Sequence, residues 1–133
     1  MSPYGLLQEQ LQKNDWKIFV CCIFCNLTKR VTAEPYFWKT LNKWSNPEKL
    51  ANADYNEVYN LVKPLGLGTR RAKALINMSK DYLRLDWTDN PEKLSGIGKY
   101  GSDAFRLFCT ENWRLVEPTD GALKNYKSWL LSK

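Results

Sequence analysis

At 133 residues the chain suits one compact domain, expected to fill residues 1–133, and is too short for two ordinary ones. Apolar residues at 44% and charged residues at 26% form a normal globular balance, which argues against a disordered chain. The net charge of +6 favours a polyanionic partner, while no run approaches the ~20 apolar residues of a membrane span and the first residues lack a signal peptide's pattern, so a soluble chain is expected.

Capping residues and early prolines recur along the chain with little that reads as strand, so an all-α fold of roughly eight to ten helices is expected. Pro3 begins a first helix that runs to about Gln12. Asp15 caps an apolar second helix through Trp16, Ile18, Phe19, Ile23 and Phe24, expected to be the central one. Three of the four cysteines, Cys21, Cys22 and Cys25, fall in that run, with Cys109 far along the chain. Buried free thiols fit better than a zinc site or a disulfide, because the chain has no His and only one distant Cys.

A third helix over about 31 to 44 places Phe37, Leu41 and Trp44 on one face, and Pro35 is expected in its first turn, which would start it near Thr32 or Ala33. Asn-Pro-Glu-Lys-Leu occurs at 46–50 and again at 90–94, each time as a cap followed by Pro at the first helical position. Shared cap chemistry explains the pair better than duplication. Asp54 with Glu57 opens a helix that ends before Pro64. A long helix from Thr69 carries Ala72, Leu75, Ile76 and Met78 to Leu83, and another follows residues 94–101 to about Asn112. The last runs from Asp120 to Leu131 and buries Leu123, Tyr126 and Trp129 or Leu130.

Two segments carry chemistry. In Leu94-Ser95-Gly96-Ile97-Gly98-Lys99-Tyr100-Gly101 the glycines allow close approach of a ligand to the backbone, the next helix presents unpaired N–H groups, and Lys99 adds a cation. That combination suits a phosphate, although a tight interhelical turn would also use Gly-x-Gly. In Glu117-Pro118-Thr119-Asp120 the carboxylate opens the last helix, where an N-cap alone is worth ~1 kcal/mol and needs no catalytic role.

Placed together in a basic helical chain, these segments resemble the hairpin and catalytic Asp of helix-hairpin-helix DNA glycosylases. The likeness is greatest to the glycosylase domain of methyl-CpG-binding domain thymine glycosylases. It rests on Ser-Pro-Tyr-x-Leu-Leu-Gln at 2–8, Lys-Pro-Leu-Gly-Leu at 63–67, Arg71-Ala72-Lys73, Gly-Ile-Gly-Lys-Tyr-Gly at 96–101 and Pro-x-Asp at 118–120. The resemblance implies that Asp120 is the catalytic carboxylate of an enzyme removing thymine or uracil opposite guanine. It also implies a base pocket with Gln8, Tyr100 and Asn26, and a hairpin of Gly96, Ile97, Gly98, Lys99 and Gly101 on the DNA backbone. Arg70, Arg71, Lys73 and Lys124 would form a phosphate-binding patch beside it.

Family members with lyase activity carry a nucleophilic Lys where this chain has Tyr100, so the resemblance implies a monofunctional enzyme that leaves an abasic site. No redox or metal cofactor is implied, since the iron–sulfur cluster of several relatives needs four Cys after the catalytic Asp and none follows Cys109. The implied partner is double-stranded DNA with a mismatched or damaged base, bound by a monomer in the nucleus.

Departures from the family pattern qualify the specificity. Leu27 stands where the family's Arg finger fills the emptied base stack, with Leu65 and Leu67 on the loop beside the orphan base. Gly121 and Ala122 replace a bulky and cationic pair. Two alternatives remain open at this point: a catalytically silent DNA-binding module, and a glycosylase for oxidised or alkylated bases.

Overall fold

A computed structural model describes residues 2–11, 14–26 and 28–133, the side chain of Asn112 excepted. The described residues form seven α-helices: α1 (Asp15–Cys25), α2 (Arg30–Lys43), α3 (Pro47–Ala51), α4 (Tyr55–Val62), α5 (Gly68–Arg84), α6 (Lys99–Cys109) and α7 (Gly121–Leu131). Four short 3-10 helices join them, over Leu7–Leu11, Lys63–Leu65, Pro91–Lys93 and Glu111–Leu115. No strand occurs among the described residues. The α-helix count is slightly below the eight to ten expected, because segments with helical caps but few residues close as 3-10 turns instead.

The N-terminal segment is the clearest case. A regular helix from Pro3 is replaced by the 3-10 helix over Leu7–Leu11, because the Glu9 carboxylate accepts from the backbone N–H groups of Ser2 and Leu6, both at 2.7 Å. A side chain that claims those donors holds the chain in a looped turn. Gln12, the expected end of that helix, lies outside the described residues.

The cap of α1 is Asn14, not Asp15: the Asn14 side chain accepts from the N–H of Lys17 at 3.0 Å. Asp15 is the first helical residue, and its Oδ1 accepts from Tyr82 Oη at 2.7 Å, tying the start of α1 to α5. Pro35 sits in the second turn of α2, since that helix begins at Arg30. The bond Pro35 forgoes would reach the carbonyl of Val31, an exposed position, so its loss is tolerable. Both Asn-Pro-Glu-Lys-Leu segments use their Asn as a cap, Asn46 to the Lys49 N–H and Asn90 to the Glu92 N–H.

The core is built around α1, which packs on α2, α5 and α6 as well as on the first 3-10 helix. Ile18, Phe19, Val20, Cys21 and Phe24 are fully buried, as a helix covered on several sides requires. Phe19 meets Trp87 and Phe105 at ring separations of 5.3 and 5.5 Å, and each such side chain contributes about 2 kcal/mol through burial. Trp16 satisfies its buried Nε1 on Ser79 Oγ at 3.0 Å. This packing fixes α1 and α6 side by side, so the hairpin before α6 and the turn before α7 are presented by a rigid centre.

Candidate active site

The hairpin is anchored from below and open above. Leu94 and Ile97 are buried in the core, the Ile97 N–H donates to the Leu94 carbonyl at 3.1 Å, and Asp81 of α5 accepts from the N–H and Oγ of Ser95 at 3.0 and 2.7 Å. Gly96 turns at φ +78°, and a Cβ there would stand 2.8 Å from the Ala74 Cβ, so the fold itself demands glycine. Gly98 differs: a Cβ there would meet nothing within 4 Å. Gly101 is buried, with a hypothetical Cβ 2.8 Å from Ile97 Cγ2, so it serves the packing of α6 and not an exposed phosphate surface.

Helix α6 opens at Gly98 without a side-chain cap, as α5 does at Leu67 and α2 at Lys29. The other four α-helices carry Asn or Asp caps. The first-turn N–H groups of α6 therefore keep their positive potential above the hairpin. Arg70, Lys73 and Lys124 are exposed at the start of α5 and on α7.

Asp120 is the N-cap of α7, where its Oδ2 accepts from the N–H of Leu123 at 3.0 Å. Cys22 of α1 lies within electrostatic reach of this carboxylate. Gln8, only 6% exposed, donates from Nε2 to Tyr100 Oη at 2.8 Å. Burial above all pushes the Tyr100 phenol well above the ordinary tyrosine range, so it stays protonated. Cys22 lies against the same group. Burial pushes its thiol up, a hydrogen bond with Gln8 works the other way, and the Asp120 carboxylate adds to the rise. Gln8, Cys22, Tyr100 and Asp120 thus share one neighbourhood, two of them buried. Cys22 was read from the sequence only as a core thiol; its adjacency to Gln8 and Tyr100 needs the α1–α6 contact, which no local pattern encodes.

The Asn26 N–H donates to the Cys22 carbonyl at 3.0 Å. Asn26 ends α1 at an exposed position and lines a cleft of about 70 Å³ with Ile23, Leu67, Arg70, Arg71 and Gly96. Leu65 is half-buried, Leu67 is 49% exposed, and Leu27 lies outside the described residues.

Two cations expected on phosphates are engaged within the protein. Lys99 Nζ pairs with Asp103 Oδ2 and donates to the Glu117 carbonyl, both at 2.9 Å. It therefore braces the start of α6 against the loop that delivers Asp120. Arg71 is 4% exposed, and its guanidinium donates to the carbonyls of Leu65, Gly66 and Asn26 and to Thr28 Oγ1. It belongs to the loop framework and not to the solvated basic face, because those carbonyls already occupy its donors.

Residues 20–129 match the model of the HhH-GPD superfamily base excision DNA repair proteins. Across 97% of its length the chain is 33% identical to a methyl-CpG-binding domain protein 4-like protein of Arabidopsis thaliana. It is 34% identical over 49% of its length to a thymine-DNA glycosylase of Aeropyrum pernix. The matched regions cover 29% of each of these relatives, so the chain spans under a third of their length.

Proposed function

The chain belongs to the HhH-GPD superfamily of base excision DNA repair proteins, and from that premise we propose that it is a monofunctional DNA glycosylase for thymine or uracil mispaired with guanine. The observation that carries the proposal is the Gln8–Tyr100 hydrogen bond next to Cys22, whose thiol feels the Asp120 carboxylate. A pyrimidine-dione edge offers an N–H donor between two carbonyl acceptors. Gln8 has an acceptor in Oε1 and a second N–H, and Tyr100, which accepts from Gln8, has its own O–H left to donate. Together they complement thymine or uracil.

Such a base must leave the stack, at a cost of a few kcal/mol that is least at a mismatch. With Oδ2 held by Leu123, Asp120 turns Oδ1 toward the sugar, where it orients a water and takes its proton. The C1′–N1 bond breaks first, the carboxylate stabilises the cationic sugar, and the water oxygen then bonds to C1′ as its proton passes to Asp120. The departing base carries the electron pair away on N1 and its carbonyl oxygens, where the Gln8 and Tyr100 donors stabilise it.

Two features support hydrolysis without strand cleavage. Tyr100 offers no amine to form a Schiff base with C1′, and the neighbouring amine of Lys99 is tied to Asp103 and Glu117. Positive potential at the uncapped start of α6, with exposed Arg70, Lys73 and Lys124, supports backbone binding to double-stranded DNA by one copy of the chain. Membership of a base excision DNA repair superfamily and a similar protein in a plant support the proposal of a nuclear location.

The test is a panel of duplexes with one G·T, G·U, A·U, 8-oxoguanine or alkylated-purine site. Base loss at G·T and G·U that becomes a strand break only after alkali is the expected result. Breaks without alkali would overturn the monofunctional assignment, release of damaged purines alone would move the specificity, and binding without base loss on every duplex would leave a silent DNA-binding module.

A further inference from the structure

The Arg71 guanidinium is shared between two separate stretches of chain in a regular way. Its Nη1 donates to the Gly66 and Leu65 carbonyls at 2.7 and 3.2 Å, while its Nη2 donates to the Asn26 carbonyl at 3.1 Å and to Thr28 Oγ1. One nitrogen therefore serves the loop 65–66 and the other serves the residues before and after Leu27. Among the described residues no carboxylate pairs with this cation, and burial lowers its pKa, so neutral dipoles, three carbonyls and the Thr28 hydroxyl, hold the charge. An apolar side chain of similar length would fill the same space without that desolvation cost, so packing does not explain the guanidinium.

Its backbone acts on the same loop. The Arg71 N–H donates to the Leu67 carbonyl at 2.8 Å, and Leu67 is the only non-glycine residue at positive φ among those described, at 53°. A leucine in that conformation costs about 1–3 kcal/mol and persists only where its surroundings impose it. The imposed result is an exposed apolar side chain at a loop tip, across a small cleft from Asn26.

We propose that Arg71 is a positioning residue whose planar fork sets the spacing between Asn26 and Thr28 at the end of α1 and the loop 65–67, so that the two are presented to the duplex in one fixed relation and the exposed Leu67 meets the opposite base. The inference rests on the proposed base flipping. Because the fork joins its two nitrogens rigidly, neither loop can shift without breaking a bond on its own side. A lysine keeps the charge but has a single nitrogen and cannot hold both sides at a fixed distance.

The experiment reads loop entry without needing chemistry. Wild type, Arg71→Lys, Arg71→Met and Thr28→Val are titrated to saturation on a duplex with an abasic analogue opposite guanine or adenine, with 2-aminopurine as the neighbouring base. The thermal midpoint of each variant is recorded alongside. Wild type is expected to change the fluorescence more with guanine opposite. Arg71→Lys is expected to remove most of that difference and to lower the guanine-to-adenine ratio of binding by at least about tenfold. Thr28→Val loses one acceptor on one side only and is expected to fall between them, which keeps the inference testable if Arg71→Met does not fold.

An unchanged fluorescence difference and ratio in folded Arg71→Lys would overturn the inference. So would losses in Arg71→Lys and Thr28→Val that scale only with thermal midpoint and fall equally on guanine and adenine duplexes, and so would a wild type with no fluorescence change on either duplex. A wild type that shows the change but excises no base would overturn the glycosylase assignment and leave the positioning role standing.

Discussion

Gln8 and Tyr100 stand 92 positions apart, yet the Gln8 Nε2 donates to the Tyr100 Oη at 2.8 Å in a partly buried bond. The bond joins the first 3-10 helix to α6 and lets two neutral side chains present a fixed set of donors and acceptors. Removing either should affect chemistry more than binding. Gln8→Ala is expected to lower the single-turnover rate of base release by about a hundredfold, comparable to losing one donor to a developing anion. Tyr100→Phe, which cannot donate, should lower it to a similar degree, and the double variant should lose less than the product of the two. Single-turnover assays at saturating protein measure all three. Full additivity would show that the two residues act independently.

The two hairpin glycines should separate cleanly. Gly96→Ala places a side chain at φ +78° and 2.8 Å from Ala74, so it should cost about 2 kcal/mol or more and lower the thermal midpoint. Gly98→Ala meets nothing within 4 Å and should leave stability within about 0.5 kcal/mol of wild type. If a phosphate approaches that backbone, the same substitution should weaken duplex binding by about tenfold. Calorimetry and a binding titration on each variant check the pair, and equal binding by Gly98→Ala would remove the hairpin from the DNA interface.

Lys99 is expected to act through the loop it braces. The Lys99–Asp103 pair is half-exposed on the lysine side, so Lys99→Met should change stability by no more than about 1 kcal/mol. Freed from Glu117, the turn that presents Asp120 should lose its setting, and the saturated rate of base release should fall by about tenfold or more. A lysine bound chiefly to phosphate would show the opposite split, with weaker binding, a shallower salt dependence and an unchanged saturated rate.

The cysteines should react in a set order. A hydrogen bond from Cys21 lowers the Cys25 thiol, with Arg30 and Arg71 adding to that effect, while Cys21 and Cys22 are pushed up. The sign favours thiolate at Cys25 ahead of Cys21 and Cys22 as pH rises, and this residue is also the more exposed of the three. Brief alkylation of the folded protein near pH 7.5, followed by peptide mass mapping, should label Cys25 well before Cys21 or Cys22. Equal labelling would show that the helix opens faster than the thiols differ.

Much of this architecture is written locally. The apolar run of α1, the Asn caps at 46 and 90 and the Asp caps at 54 and 120 each depend on residues within one turn, and each was readable. The pairing of Gln8 with Tyr100 is suggested by family resemblance and not by any periodicity. Arg71 misled because an Arg-Arg-Ala-Lys stretch at a helix start reads as a solvated basic face, whereas its partners include Asn26, 45 positions away. Lys99 was half-legible: Asp103 at i+4 was a visible partner, but a bond to the Glu117 carbonyl leaves no trace in residue identity.

The most direct test of the central claim compares wild type with Asp120→Asn in single-turnover release of uracil or thymine opposite guanine. Asparagine also caps helices, so the bond to Leu123 and the stability of α7 should survive, which a matched thermal midpoint would verify. The expected result is alkali-dependent cleavage by wild type and a loss of at least about a thousandfold in the variant, with duplex binding retained. Undiminished excision by a folded Asp120→Asn would show that the carboxylate is a helix cap and nothing more.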